Sequence, residues 1–210
     1  MVASLILIKR LCKTKRAQDI AIIIAGGLLL VSIILNRIFI TIHSDSWTYL
    51  IPKSFCGMTS LLLGIATLVF IRNHNHNVFH FLTYLAFLGG VVANFYPDYI
   101  GQAQSVFHSR TITGLLHHTL SVYVVVLLII TGRFAPTIKK WYCLPIGLMG
   151  YIVFGLFIIQ AFGVNNAMLI NAPLVAWLYW YVVGPLFIAL QIIGLLIYTK
   201  IKNSKSTPQS

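Results

Sequence analysis

The stretch IAIIIAGGLLLVSIILNRIFITI, residues 20–42, decides the fold class of this chain. It holds 23 residues with a single charged side chain, Arg37, which lies near its outer end, where snorkelling lowers the cost of a charge. A hydrocarbon core about 30 Å thick is crossed by about 20 apolar helical residues, and irregular backbone exposed to lipid cannot cross it. We therefore predict that this stretch is a membrane-spanning α-helix.

Five further apolar stretches repeat this pattern along the chain. They run from Tyr49 to Ile71, Val78 to Tyr96, Thr111 to Thr131, Tyr142 to Gly163 and Pro173 to Tyr198. Only 9% of the residues are charged, whereas soluble domains carry about 25%. We predict an all-α polytopic membrane protein, a bundle of six transmembrane helices. It comprises a basic segment at residues 1–19, the helical domain at 20–200 and a polar tail at 201–210.

The formal net charge of +12 follows the topology of such a bundle. Basic residues precede the first span (Lys9, Arg10, Lys13, Lys15, Arg16), separate the fourth from the fifth (Arg133, Lys139, Lys140) and follow the last (Lys200, Lys202, Lys205). Because cytoplasmic loops are enriched in Lys and Arg, we predict a cell-membrane protein with both termini cytoplasmic. No basic surface interleaved with aromatic residues lies outside the spans, which excludes nucleic-acid binding. Membrane lipids are the expected partners.

One cysteine and a histidine pair are expected at the same depth in the bilayer. Cys56 lies about seven residues inside the second stretch, and His117 and His118 lie about as far inside the fourth. Both stretches enter from the outer side in the predicted topology. Adjacent helical residues point about 100° apart, so only one histidine faces the bundle centre squarely, and spacing does not choose between them.

A thiol beside an imidazole suits acyl transfer. The activated thiol attacks an ester carbonyl, and a second nucleophile resolves the resulting thioester. Lys53, about one turn from Cys56, would lower the pKa of the thiol or hold a lipid phosphate. No acidic residue lies inside a helix to orient the imidazole, so Asp98 in the outer connection, or the amide of Asn165 or Asn166, would serve.

Two other interpretations concern the remaining polar residues. His74 and His76 lie in a polar loop on the cytoplasmic side, most of a membrane thickness from the histidine pair, so the two groups cannot share a metal ion. We therefore expect no metal site and no cofactor. Gly57, Ser60 and Gly64 share one face of the second span, which favours close helix packing.

A solute-binding membrane module or small transporter component is the alternative function. In that case the same polar groups would bind a ligand without chemistry. Such a protein would retain a small molecule or copurify with a partner, and Cys56 would resist thiol-directed probes.

The order of short motifs resembles one known family. The motifs are LIPKSFC at 50–56, GG at 89–90, PD at 97–98, LHH at 116–118, GVNNAML at 163–169, AP at 172–173 and GP at 184–185. This order is similar to that of YwaF-type integral membrane proteins, bacterial relatives of the eukaryotic transmembrane protein 164. The resemblance implies six helices and, from the eukaryotic relative, a cysteine-dependent phospholipid acyltransferase. It implies Cys56 as nucleophile and His118 as base, with His117 as the alternative.

Overall fold

Six α-helices form the described part of the protein. The computed structural model describes residues 14–44, 46–70, 76–95, 105–173, 177 and 179–206, with side chains described as far as residue 201. The helices are α1 (Lys15–Ser44), α2 (Phe55–Val69), α3 (Asn77–Phe95), α4 (Ser109–Ile130), α5 (Cys143–Phe162) and α6 (Trp180–Ser206). No strand occurs within these ranges. The prediction of an all-α bundle of six helices is confirmed.

Five of the six helices are long and apolar enough to cross a membrane, and α2 is the shorter one. We predicted helix from Tyr49, but α2 begins only at Phe55 and is about 22 Å long. Trp47–Leu50 forms a short 3₁₀ turn, and Ser54 then caps α2 by accepting a hydrogen bond from the Gly57 N–H at 3.2 Å. A serine cap of this kind starts a helix because it satisfies an otherwise unpaired N–H group.

Close backbone approach holds the first two helices together. A Cβ atom added at Gly64 would lie 3.1 to 3.2 Å from the Cα, N and Cβ atoms of Leu30 on α1. One added at Gly26 would clash with the Oγ1 atom of Thr67 on α2. Glycine at these positions lets α1 and α2 pack face to face, so the predicted small-residue packing of α2 is confirmed at Gly64.

The helices alternate in direction, which gives the bundle two distinct ends. At one end Arg133, after α4, forms a 2.7 Å salt bridge with Asp19 and donates to the backbone oxygen of Lys15 at 2.8 Å. At the other end Asn36, near the end of α1, donates to the backbone oxygen of Arg110 at the start of α4. We call the first the terminal end, because α1 starts there and α6 finishes there, and the second the cavity end.

α1 packs against α2 and α4, and α3 packs against α2, α4 and α5. Helix α6 lies at the edge of the bundle, where large apolar side chains such as Ile193, Leu196 and Ile197 are exposed. Exposed apolar side chains are expected where the surrounding medium is lipid. Near its start, α6 carries Val183, Leu186 and Phe187, which line a cavity inside the bundle.

Candidate functional site

A cavity of about 760 Å³ lies between the helices at the cavity end. Its walls come from α1, α2, α3, α4 and α6, together with the loop that follows α5. The polar side chains on the walls include Asn36, Arg37, Cys56, Arg110, His117 and His118, together with Tyr49, Ser54 and Thr59. Apolar residues such as Leu85, Val183 and Phe187 line the rest. The volume falls in the range of about 300–1,000 Å³ that is typical of small-molecule sites.

Cys56, the second residue of α2, is half-buried and lines this cavity. Its Sγ atom faces Gly89 on α3, where an added Cβ atom would lie 3.0 Å from the sulfur. The absence of a side chain at Gly89 therefore makes room for the thiol. Cys56 and the histidine pair lie at the same end of the bundle and line a single space.

His117 is held by a buried network between α2 and α4. Its Nδ1 atom lies 3.1 Å from the Ser60 Oγ atom, which lies 2.9 Å from the Ser121 Oγ atom. Ser121 donates to the backbone oxygen of His117 at 2.8 Å. Each hydroxyl has one proton, so all three contacts are satisfied only if Ser60 donates to Ser121 and His117 donates from Nδ1 to Ser60. This assignment leaves the His117 Nε2 atom as the unprotonated, basic nitrogen.

His118 lies beside this network, and its ring centroid is 4.1 Å from that of His117. It is half-buried and lines the cavity, whereas His117 is 4% exposed. The backbone here approaches α3 closely, since a Cβ atom added at Gly90 would lie 2.9 Å from the His118 backbone oxygen. Both imidazoles therefore reach the cavity from a segment of α4 that packs closely against α3.

Lys53 lies in the segment before α2 and is not among the residues that line the cavity. Its Nζ atom donates to the Thr48 Oγ1 atom at 3.1 Å and lies 4.0 Å from the centroid of the Tyr49 ring. Partial desolvation lowers the pKa of Lys53, and the positive charge of Arg37 lowers it further. Tyr49 itself lines the cavity, so Lys53 lies next to a wall residue without being one.

The predicted asparagines build the loop after α5. The Asn166 Oδ1 atom accepts hydrogen bonds from the backbone N–H groups of Asn171 and Ala172, at 3.0 and 3.2 Å. Asn165 is exposed, and its backbone oxygen accepts from the Asn171 side chain at 3.0 Å. Neither asparagine lines the cavity. Asp98, the other candidate orienting group, lies outside the described residues.

Met168 and Leu169 connect the same loop to the segment before α2 and to the cavity. The Met168 N–H group donates to the Lys53 backbone oxygen at 2.7 Å, and Leu169 lines the cavity. Both residues adopt left-handed backbone conformations, with φ of 48° and 56°. Such conformations are unfavourable for non-glycine residues and persist only where the surrounding structure holds them. The side chain of Met168 is fully buried, and its packing holds the loop in this conformation.

Two arginines on the cavity wall are the residues that sequence reasoning missed. We placed Arg37 near the outer end of the first span and assigned no role to Arg110. Arg110 instead lies in the first turn of α4 and precedes His117 by seven residues. A separation of seven residues, close to two helical turns, places both on one face, and this spacing is the signal that would have identified Arg110.

The described residues contain no group of three or more His, Cys, Asp or Glu side chains placed to hold a metal ion. His76 stacks on the Phe70 ring, with the centroids 4.5 Å apart, at the terminal end. His74 lies outside the described residues.

The apolar helices and the cavity between them define a multi-pass membrane protein of the helical-bundle class. The sequence model of the TMEM164 family matches residues 1–200, and the chain belongs to this family. The resemblance inferred from the motifs is thereby confirmed at the level of that family. No curated protein and no solved structure gives a significant match.

Proposed function

We propose that the protein is a lipid acyltransferase or lipid-ester hydrolase, with Cys56 as nucleophile and His118 as general base. The observation that supports this proposal best is that a thiol and two imidazoles line one cavity whose other walls are largely apolar. A lipid ester needs both features, since its acyl chain requires an apolar wall and its carbonyl requires the reactive groups. Family membership is consistent with a membrane substrate.

The reaction begins with proton transfer from the Cys56 thiol to an imidazole nitrogen. The Sγ atom then attacks the ester carbonyl, a bond forms between sulfur and the acyl carbon, and the ester carbon–oxygen bond breaks. The imidazolium returns its proton to the departing alcohol. A second alcohol, or water, then attacks the thioester and regenerates the thiol, which gives acyl transfer or hydrolysis respectively.

The two histidines receive different roles in this proposal. His118 takes the proton, because it lines the cavity and is the more exposed of the pair. His117, which is hydrogen-bonded to Ser60, fixes the position of the His118 ring beside it. The competing assignment makes the basic Nε2 atom of His117 the proton acceptor, and replacement of each histidine separates the two assignments.

We also propose that the cavity faces the outer leaflet of the cell membrane. The basic residues at the terminal end are Lys15, Arg16, Arg133, Lys139, Lys140 and Lys200. A concentration of Lys and Arg is typical of the cytoplasmic side. The cavity end would then face outward.

The decisive experiment follows acyl exchange in the purified protein. The protein is reconstituted with a lipid mixture in which one phospholipid carries deuterated acyl chains, and mass spectrometry follows the label into other lipids and free fatty acid. We expect Cys56→Ala to abolish this redistribution. Cys143→Ala is the matched control, because Cys143 is a free, buried cysteine at the terminal end of α5 and should be dispensable.

His118→Ala should abolish exchange, whereas His117→Ala should retain a measurable rate. The reverse order would transfer the role of base to His117. Full activity of Cys56→Ala would refute the proposal. An inert Cys56 together with a stoichiometric, copurifying small molecule would instead indicate a solute-binding module.

A further inference from the structure

Two positively charged side chains lie on the cavity wall without an acidic partner among the described residues. Arg37 on α1 and Arg110 on α4 both line the cavity. The Nε atom of each is buried and has no hydrogen-bond partner in the described part of the chain. Asp19, the acidic residue within the described ranges, pairs with Arg133 at the terminal end.

Asn36 fixes the position of Arg37. The Asn36 side chain is 2% exposed, and its Nδ2 atom donates to the Arg110 backbone oxygen at 3.2 Å and to the Thr113 Oγ1 atom at 3.1 Å. These two acceptors orient the amide so that its oxygen accepts from the Arg37 Nη2 atom at 2.6 Å. The amide oxygen is a neutral acceptor, so this contact holds the guanidinium group in place without neutralising its charge.

The two guanidinium groups repel each other, and Arg37 also interacts electrostatically with Lys53. The field of Arg37 reaches both His117 and His118. Partly buried charges of one sign are unfavourable unless an anion compensates them. The wall beside the reactive groups is therefore suited to an anion.

We infer that Arg37 and Arg110, positioned by Asn36, form a subsite for the phosphate group of a lipid held in the cavity. Guanidinium groups bind phosphate through paired N–H donors, and both of these side chains line the cavity. The apolar wall formed by residues such as Val183 and Phe187 would take an acyl chain. The inference rests on the proposed lipid chemistry for its ligand and adds the residues that select and position it.

Binding is measured without turnover in full-length Cys56→Ala protein. The probes are dioctanoyl phosphatidylglycerol and dioctanoylglycerol, which differ by the phosphate-bearing headgroup, with inorganic phosphate and glycerol phosphate as soluble competitors. We expect phosphatidylglycerol to bind at least about tenfold more tightly than dioctanoylglycerol. Arg37→Gln and Arg110→Gln should each remove most of this preference.

Arg16→Gln is the matched control, since Arg16 is an exposed arginine at the opposite end of α1 and its loss should leave the preference unchanged. Asp45→Asn and Asp98→Asn test whether a carboxylate outside the described residues neutralises the arginines. We expect both variants to bind as before. A marked gain of phosphatidylglycerol affinity in either would show that the arginines are already paired, and would overturn the inference.

An unchanged preference in both glutamine variants would also overturn it. Inorganic phosphate that competes as strongly as the lipid would indicate a site for a free anion, contrary to the inference. If the glutamine variants are not monodisperse, Arg37→Lys and Arg110→Lys are used in the same binding measurement. Lysine keeps the positive charge but lacks the paired N–H donors. The preference should then fall several-fold, and full retention would refute the subsite. Because no turnover is needed, an Arg-dependent preference would stand even if Cys56 proved catalytically inert.

Discussion

Gly89→Ala tests whether the position of the Cys56 sulfur matters for activity. The added Cβ atom would lie 3.0 Å from the Sγ atom, whereas comfortable contact between heavy atoms is about 3.5–4.0 Å. The thiol must therefore move by about 0.5–1 Å or change rotamer, since Gly89 belongs to a regular helix packed against its neighbours. Misplacement of a reacting group by about 1 Å is associated with rate losses of about 100-fold. We expect acyl exchange to slow by about 10- to 100-fold while the fold is retained.

The assay compares the initial rate of deuterated acyl redistribution in Gly89→Ala and in the parent protein. Gly150→Ala is the matched control, because a Cβ atom added at Gly150 on α5 meets no atom within 4 Å. Its rate and thermal unfolding midpoint should match those of the parent. If Gly89→Ala exchanges acyl groups at the parental rate, the thiol does not act from the position seen here, and the proposed role of Cys56 fails.

Three further predictions concern the network, the helix packing and the arginine support. Nitrogen-15 NMR of histidine-labelled protein should show His117 protonated at Nδ1, and a signal protonated at Nε2 would contradict the assignment. Ser60→Ala should lower the free energy of unfolding by about 1–3 kcal/mol, because it leaves the Nδ1 donor of His117 unsatisfied. Gly64→Ala should destabilise the protein by about 1–3 kcal/mol in detergent denaturation, because its Cβ atom would press on the α1 backbone, whereas Gly27→Ala meets nothing within 4 Å and should be tolerated. Asn36→Leu should lower both the thermal midpoint and the affinity for phosphatidylglycerol, and an unchanged affinity would mean that Arg37 needs no support.

Several features were predictable because they depend on local sequence. Long apolar runs identify helices that cross a bilayer whatever their neighbours are, and the stretch at residues 20–42 lies within α1. Counting inward from the ends of two such runs placed Cys56 and the histidine pair at a common level. The start of α2 was misplaced, because Pro52 and the Ser54 cap interrupt an apolar run that hydropathy alone reads as continuous.

The cavity wall depended on contacts between distant parts of the chain. Asn36 and Thr113 are 77 positions apart, and Ser60 and His117 are 57 apart, so no local pattern links them. Arg37 looked like an interfacial charge because sequence shows its depth in the helix but not the neighbour it faces. The asparagines at 165 and 166 were expected near the reactive groups, and they instead hold the loop that brings Leu169 to the cavity.

The sequence by itself determined the membrane class, the six helices and the level at which the thiol and the imidazoles lie, since hydropathy and helical rise are local properties. Only the tertiary structure decided that these groups share one cavity with Arg37 and Arg110. The physical reason is rotation about the helix axis. Depth follows from counting residues along a helix, whereas the direction in which a side chain points into the bundle depends on how the helices pack against one another.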